Sequence, residues 1–261
     1  MTPRITVTEV SKVYRTGRRT VQALDRVSLQ VADGEFVCLV GPSGCGKSTL
    51  LRIVAGLVPQ TSGTVTIRAS QRGKPLHSLV FQEYAIFPWK TVLDNVAFGL
   101  QMRGVPRAER EAIARRWIAR VGLAEFADLY PRQLSGGMRQ RVGIARAFAN
   151  DPEVLLMDEP LGALDAQTRL LLMDELLQLW QADRKTVVYI THDIEEAVLL
   201  GDRVVLMTAR PGRWKAEFAV PFPRPRGLDL MATPAFGGLV YRIWEALRDE
   251  ALVALQGRTP S

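Results

Sequence analysis

The segment Gly41-Pro42-Ser43-Gly44-Cys45-Gly46-Lys47-Ser48 constrains this chain more than any other. It follows the apolar run "FVCLV" and opens the apolar stretch "STLLRIVAGL", so it reads as strand, Gly-rich loop and helix in that order. Glycines let successive backbone N–H groups turn inward and form a concave anion nest. The helix that starts behind the loop adds its positive dipole end. Gly41, Pro42, Ser43, Gly44, Cys45, Gly46, Lys47, Ser48 and Thr49 are therefore expected to hold the phosphates of a nucleotide, ATP in the first instance. Lys47 would reach the β- and γ-phosphates, and the Ser48 hydroxyl would ligate Mg²⁺. Cys45 admits two readings: a thiol made reactive by the helix end and the lysine, or an incidental side chain whose backbone N–H does the work.

The rest of the chain must supply a core around that loop. With 47% hydrophobic and 23% charged residues, 261 residues fit one globular domain, or a large domain with an inserted subdomain. The apolar runs fall well short of the roughly 20 residues that span a bilayer. "MTPRITVTEV" has no signal-peptide core, so the expectation is a soluble, cytoplasmic protein that reaches a membrane only through a partner. Cys38 and Cys45 form no disulfide framework and no metal-ligand spacing. The net charge of +7 admits nucleic acid, an anionic membrane surface or polyphosphate as partners. The arginines at 107, 110, 115, 116 and 120 are interleaved with Glu109 and Glu111, which reads as a solvated helix face.

Strand and helix patterns alternate along the chain. "VQALDRVSLQVADGEFVCLV" reads as strands joined by a hairpin turn at Asp33-Gly34. "SGTVTIR", "VLLM", "TVVYI" and "DRVVLM" read as further strands, and "RLLLMDELLQLW" as a long helix. Residues from about 88 to 134 turn helical, with Ile113, Trp117 and Val121 on one face, and are expected to form an inserted helical subdomain. From Pro211 to Ser261 the chain becomes Pro/Arg-rich and then helical, which suggests an appendage on a single domain of residues 1–261. The expected class is α/β with a largely parallel sheet.

"VLLMDEP" ends a strand of buried type in two acids. In open α/β sheets ligands bind beyond the carboxyl ends of strands. Asp158 is therefore a candidate for the same Mg²⁺, and Glu159 for the base that deprotonates an attacking water. "TVVYI" likewise ends in Thr191, His192 and Asp193, making His192 a candidate γ-phosphate sensor. His77 reads as an exposed loop residue.

Leu134-Ser135-Gly136-Gly137-Met138, continued by "RQRVGIARAFANDPEVLLMDEP", resembles the signature motif of the ABC ATPases. From its residues, Ser135 can cap a helix whose next residues are glycines, which builds a second anion-binding helix end. The resemblance implies a P-loop NTPase core with an antiparallel β subdomain and an inserted helical subdomain. It implies a head-to-tail dimer with a second copy, in which Ser135, Gly136 and Gly137 of one subunit contact ATP held by the other. Gln82 in "VFQEY" resembles the residue that touches Mg²⁺ or the attacking water and senses a membrane partner. Tyr14 resembles the aromatic that stacks on adenine, although a strand tyrosine by itself is more often packing. Asp165 in "LGALD" resembles the loop that crosses the dimer, and His192 the switch histidine. Lys47, Glu159 and His192 are then the catalytic candidates, and Ser48, Gln82 and Asp158 the metal ligands.

"VFQEYAIFPWKTVLDNVAFGL" and "FPRPRGLDLMATPAFGGLVYRIWEAL", with Trp89 and Met138, resemble the nitrate/sulfonate/taurine importer branch. That resemblance implies separate integral-membrane permease subunits, an indirect link to a periplasmic or extracellular substrate-binding protein, and a position on the cytoplasmic face of the inner membrane. Motion would pass to the permease through roughly residues 82–103, where Phe87 and Trp89 are either docking groove or ordinary core. The rival reading is an ABC ATPase acting on nucleic acid or ribosomes, which the basic balance permits. This chain has one cassette, no long coiled-coil insertion and no cysteine cluster, so no nucleic-acid partner is expected.

Overall fold

The structure is a computed structural model and describes residues 2–17, 19–70, 73–83 and 85–256. The chain divides into two units, Met1–Ala69 with Arg184–Ser261, and Ser70–Asp183.

In the first unit, β1 (Ile5–Thr16) and β2 (Arg19–Val31) pair antiparallel, from Thr16 opposite Arg19 to Ile5 opposite Val31. β3 (Phe36–Val40) leads into α1 (Lys47–Val54), and β4 (Ser62–Ile67) returns to the other edge of β1. Apolar residues alternate with exposed ones along β2 and bury Val27, Leu29 and Val31, as suits a sheet with one wet face.

The expected hairpin at Asp33-Gly34 is not there. That turn is a corner where the chain leaves the antiparallel sheet, because all five residues of β3 are buried and such a strand needs cover on both faces. β3 instead runs parallel between β7 (Thr186–Ile190) and β8 (Arg203–Met207). Asp33 accepts from Arg4 Nε at 2.9 Å, and Gly34, at φ 70°, donates its N–H to Thr186 Oγ1 at 3.0 Å.

The Pro/Arg-rich tail also differs from its expected form at its start. β9 (Trp214–Ala219) pairs antiparallel with β8, so these residues extend a sheet. Beyond it, α7 (Pro234–Gln256) packs against α6 (Ile194–Leu200) and buries Phe236, Leu239 and Ile243.

In the second unit, β5 (His77–Val80) pairs parallel with β6 (Val154–Asp158), His77 opposite Val154. The reading of His77 as an exposed loop residue is therefore corrected: it opens a strand and is half-buried. Burial holds its imidazole below the usual histidine pKa, and its Nδ1 is buried without a hydrogen-bond partner. α2 (Val92–Met102), α3 (Arg107–Arg120) and α4 (Gly136–Ala149) pack on one another, with Trp117 and Phe148 in ring contact at 5.2 Å. α5 (Ala166–Ala182) closes the unit. The architecture is α/β: mostly parallel strand pairing with one antiparallel edge strand, a separate three-stranded antiparallel sheet, and helices. Among the described residues no helix is long and apolar enough to cross a membrane.

Candidate nucleotide-binding site

The candidate phosphate loop, residues 41–49, belongs to the first unit. Buried β3 delivers Gly41 at its carboxyl end, and α1 begins at Lys47. Gly44 and Gly46 adopt left-handed conformations, φ 75° and 108°. A Cβ on Gly46 would stand 2.7 Å from the Ala23 carbonyl oxygen and from Leu24 Cδ2, so only glycine fits. Gly46 is also the N-cap of α1, and no side chain caps this helix. Side-chain caps ordinarily take the N–H groups of a first turn. Leaving that role open, on a loop bent by left-handed glycines, is what a phosphate requires.

Lys47 is buried and donates to the Gly41 carbonyl at 2.7 Å and the Pro42 carbonyl at 3.1 Å, so its ammonium is held at the entrance of the loop. Its Nζ lies 3.9 Å from Cys45 Sγ. Cys45 is buried, and burial pushes its thiol pKa up despite the opposing Lys47 charge. The geometry favours a packed side chain over a reactive thiol.

Two further candidates lie in this unit. Tyr14, on β1 opposite Val21, keeps its ring partly exposed, with Lys12 Nζ 4.9 Å from the ring centroid. His192 is exposed and lies two residues beyond Ile190, the buried end of β7. Its surroundings are firmly built. Asp193 caps α6 by accepting the Glu196 N–H at 3.1 Å, while the Tyr189 and Thr191 hydroxyls both donate to the buried Glu196 carboxylate. Glu196 was not among the candidates, though the Asp193-x-x-Glu196 spacing of a capping box signals it. Arg226, also missed, donates Nη1 to the carbonyls of Val198, Leu199 and Gly201 and so caps the other end of α6; burial lowers its pKa to about 10.

The second unit holds the acids. All of β6 is buried, and Asp158 is its last residue. Glu159 follows at φ 46°, a left-handed conformation that costs a non-glycine residue roughly 1–2 kcal/mol. Glu159 Oε2 lies 3.5 Å from Gln82 Nε2, so two of the candidates meet. Ser135 is the N-cap of α4 and accepts the Met138 N–H at 3.3 Å, with Gly136 and Gly137 as the first helical residues. A Cβ on Gly137 would stand 2.9 Å from Thr168 Cγ2. Asp165 is the N-cap of α5; the Thr168 N–H that it accepts at 3.0 Å lowers its pKa. In the same unit Phe87 contacts Trp89 and Phe98, with centroid distances of 5.6 and 4.5 Å, and Trp89 is 71% exposed. Asn95, fully buried on α2, pins this segment: its Oδ1 accepts the Phe87 N–H at 2.7 Å, and Nδ2 lies 2.9–3.1 Å from the carbonyls of Phe87, Lys90 and Thr91. A polar residue on the apolar face of "VLDNVAFGL" was its only sequence signal.

A glycine-bent loop feeding an uncapped helix, with strand-end acids and a second serine-capped glycine helix, defines a nucleotide-binding α/β cassette. The family model described as ABC transporter matches residues 24–162. An uncharacterized ABC transporter ATP-binding protein of Methanocaldococcus jannaschii is 48% identical, covering 98% of this chain and 96% of that protein. The taurine import ATP-binding protein of Rhizobium johnstonii is 51% identical over 79% of each chain. The nitrate import ATP-binding protein of Synechocystis is 46% identical over 83% of this chain and 82% of that one. Among solved structures, a dimeric post-hydrolysis state of an ATP-binding cassette, bound to ADP and phosphate, has a TM-score of 0.73 at 35% identity, covering 84% of this chain and all of the other. The chain belongs to the ABC transporter family, as its ATP-binding, ATP-hydrolysing cassette.

Proposed function

We propose that this cassette powers an importer of a small nutrient in the class of nitrate, taurine or other sulfonates, by closing on ATP as a head-to-tail pair. Support for the cargo class comes from the taurine and nitrate import relatives, and support for the pair from the dimeric cassette of similar fold. In this reading residues 41–49 bind the phosphates and Tyr14 stacks on adenine. Lys47 leaves its loop carbonyls to meet the β- and γ-phosphates, and Ser135, Gly136 and Gly137 of the second copy close over the γ-phosphate. Glu159 accepts the proton of the attacking water. His192 holds the γ-phosphate in line, and Asp165 lies at the dimer seam.

The oxygen donors proposed for Mg²⁺, on Ser48, Gln82 and Asp158, suit a hard cation that keeps phosphate and water in its remaining positions. When bound, that ion supplies charge neutralisation at the β- and γ-phosphates. The same reading places the protein at the cytoplasmic face of the inner membrane, on permease subunits served by a substrate-binding protein. The 82–103 segment, with exposed Trp89, forms the contact.

The observation that carries the catalytic part is Glu159, held left-handed at the end of a buried strand with its carboxylate toward Gln82. Gln82 thus has a route from a partner-facing segment to the base. The test is ATP turnover of wild type and Glu159→Gln, with dimerisation followed by light scattering. We expect turnover to fall at least about a hundredfold while the variant accumulates as an ATP-bound dimer. A variant that hydrolyses normally and stays monomeric at saturating ATP would remove Glu159 as the base and the pair as the working form.

A further inference from the structure

α7 has two unlike faces. On one, Phe236, Leu239 and Ile243 are buried, and Glu250 accepts from Lys215 Nζ at 2.8 Å and from the Ala209 N–H at 2.7 Å. The opposite face carries Tyr241, Trp244 and Leu252, which are 58%, 46% and 51% exposed. The Tyr241 and Trp244 rings stack at 5.9 Å, and the Arg248 guanidinium sits 5.9 Å from the Trp244 ring. At about 100° per residue, Tyr241, Glu245, Arg248 and Leu252 fall within about 60° of one another and run about 16 Å along the helix. A face that sets Tyr241, Trp244 and Leu252 around the charged pair Glu245 and Arg248 is unlike the scattered single apolar residues of an ordinary surface.

The sequence of this face is self-complementary. In a second helix laid antiparallel, with a two-fold axis between residues 246 and 247, Tyr241 meets Leu252 and Glu245 meets Arg248, each pair occurring twice. A parallel arrangement in register would set Glu245 on Glu245 and Arg248 on Arg248. Toward the start of the helix, Gly237 and Gly238 have open space where a Cβ would be, which thins the helix where the far end of a partner helix would cross. Pairing of one patch with itself in this way is what an isologous two-fold interface requires. An anionic lipid surface fits less well, because Arg242 and Arg248 are outnumbered by Glu245, Asp249 and Glu250 on the same helix.

We propose that the exposed face of α7 is a homodimerisation surface that docks antiparallel on α7 of a second copy and does so without nucleotide. This contact is additional to the ATP-dependent closure and independent of it.

The test is sedimentation velocity of the full chain in EDTA with no nucleotide, up to a few hundred micromolar, for wild type, Glu245→Arg, Arg248→Glu and the equimolar mixture. Wild type is expected to dimerise. Each variant alone sets like charges together at both pairs and should dimerise about tenfold more weakly or less. Mixed, Glu245→Arg and Arg248→Glu place opposite charges at both pairs again, and the heterodimer should return. Tyr241→Ser, which leaves the charges alone, should also weaken association, and circular dichroism checks that each variant is folded. A monomeric wild type, variants that dimerise as well as wild type, or a mixture that does not recover would each overturn the proposal. None of these outcomes bears on ATP-driven closure, which the Glu159→Gln test reads separately when it is run in an Arg248→Glu background.

Discussion

At the scale of single residues, the phosphate loop is specified by what cannot be substituted. Gly44 and Gly46 share a left-handed backbone but differ in surroundings: nothing lies within 4 Å of a Cβ on Gly44, whereas one on Gly46 would overlap the Ala23 carbonyl. Gly44→Ala therefore bears only the conformational cost, about 1 kcal/mol. Gly46→Ala adds a clash with backbone and should cost about 2–4 kcal/mol. We expect urea unfolding midpoints in the order wild type, Gly44→Ala, Gly46→Ala, with ATP affinity falling furthest in the last. Equal midpoints for the two variants would show that the loop moves freely off Ala23. The motif marked both glycines as candidate phosphate-loop residues, but not this difference, which depends on a strand about twenty residues earlier in the chain.

At the scale of elements, what was legible depended on whether an element's own residues determine its partner. β3, β6 and β7 are continuously buried and carry the apolar runs "FVCLV", "VLLM" and "VVYI", which announce burial on both faces, so their ends, and the candidates placed there, could be read directly. Alternation in β2 announced a strand but not its neighbour, which is why the corner at Asp33-Gly34 passed for a hairpin. β9 escaped because its half-buried alternation is short and embedded among prolines and arginines. β5 escaped because four residues carry too little pattern, and with it went the environment of His77. That environment has a measurable consequence. Burial lowers the folded-state pKa of His77, so between that value and the unfolded value of about 6.5 the unfolded chain binds more protons. The contribution of His77 to stability is intact above about pH 6.5 and is lost as the pH falls below it, with a slope of at most about 1.4 kcal/mol per pH unit. Urea midpoints of wild type and His77→Gln from pH 7.5 to 5.5 should diverge in slope only in the acidic half. Parallel curves would mean that the imidazole is solvated in the native state.

At the scale of the whole molecule, the loop and His192 belong to a unit assembled from both ends of the chain, while Glu159, Gln82 and the signature serine belong to the continuous stretch between. Ligand linkage is therefore the most direct global reading of the site. A ligand that binds only the folded chain stabilises it by about 2.7 kcal/mol at a hundred times its Kd, which for a chain of this size raises Tm by about 5–10 °C. We expect that rise with Mg·ATP in wild type, a smaller one with ATP in EDTA, and none in Lys47→Ala, whose ammonium is the cation built into the loop. Differential scanning calorimetry distinguishes binding by one copy from closure of two. Simple binding gives a Tm set by ATP concentration alone. Closure across two copies makes the Tm of Glu159→Gln in ATP rise with protein concentration as well, because folding and assembly are then one equilibrium. The α7 contact complicates neither comparison if the same titration is run in an Arg248→Glu background. There, nucleotide-free association is weakened, and any remaining concentration dependence belongs to the nucleotide. A Tm in ATP that ignores protein concentration in that background would confine the chain's response to a single phosphate loop and leave closure to the membrane partner.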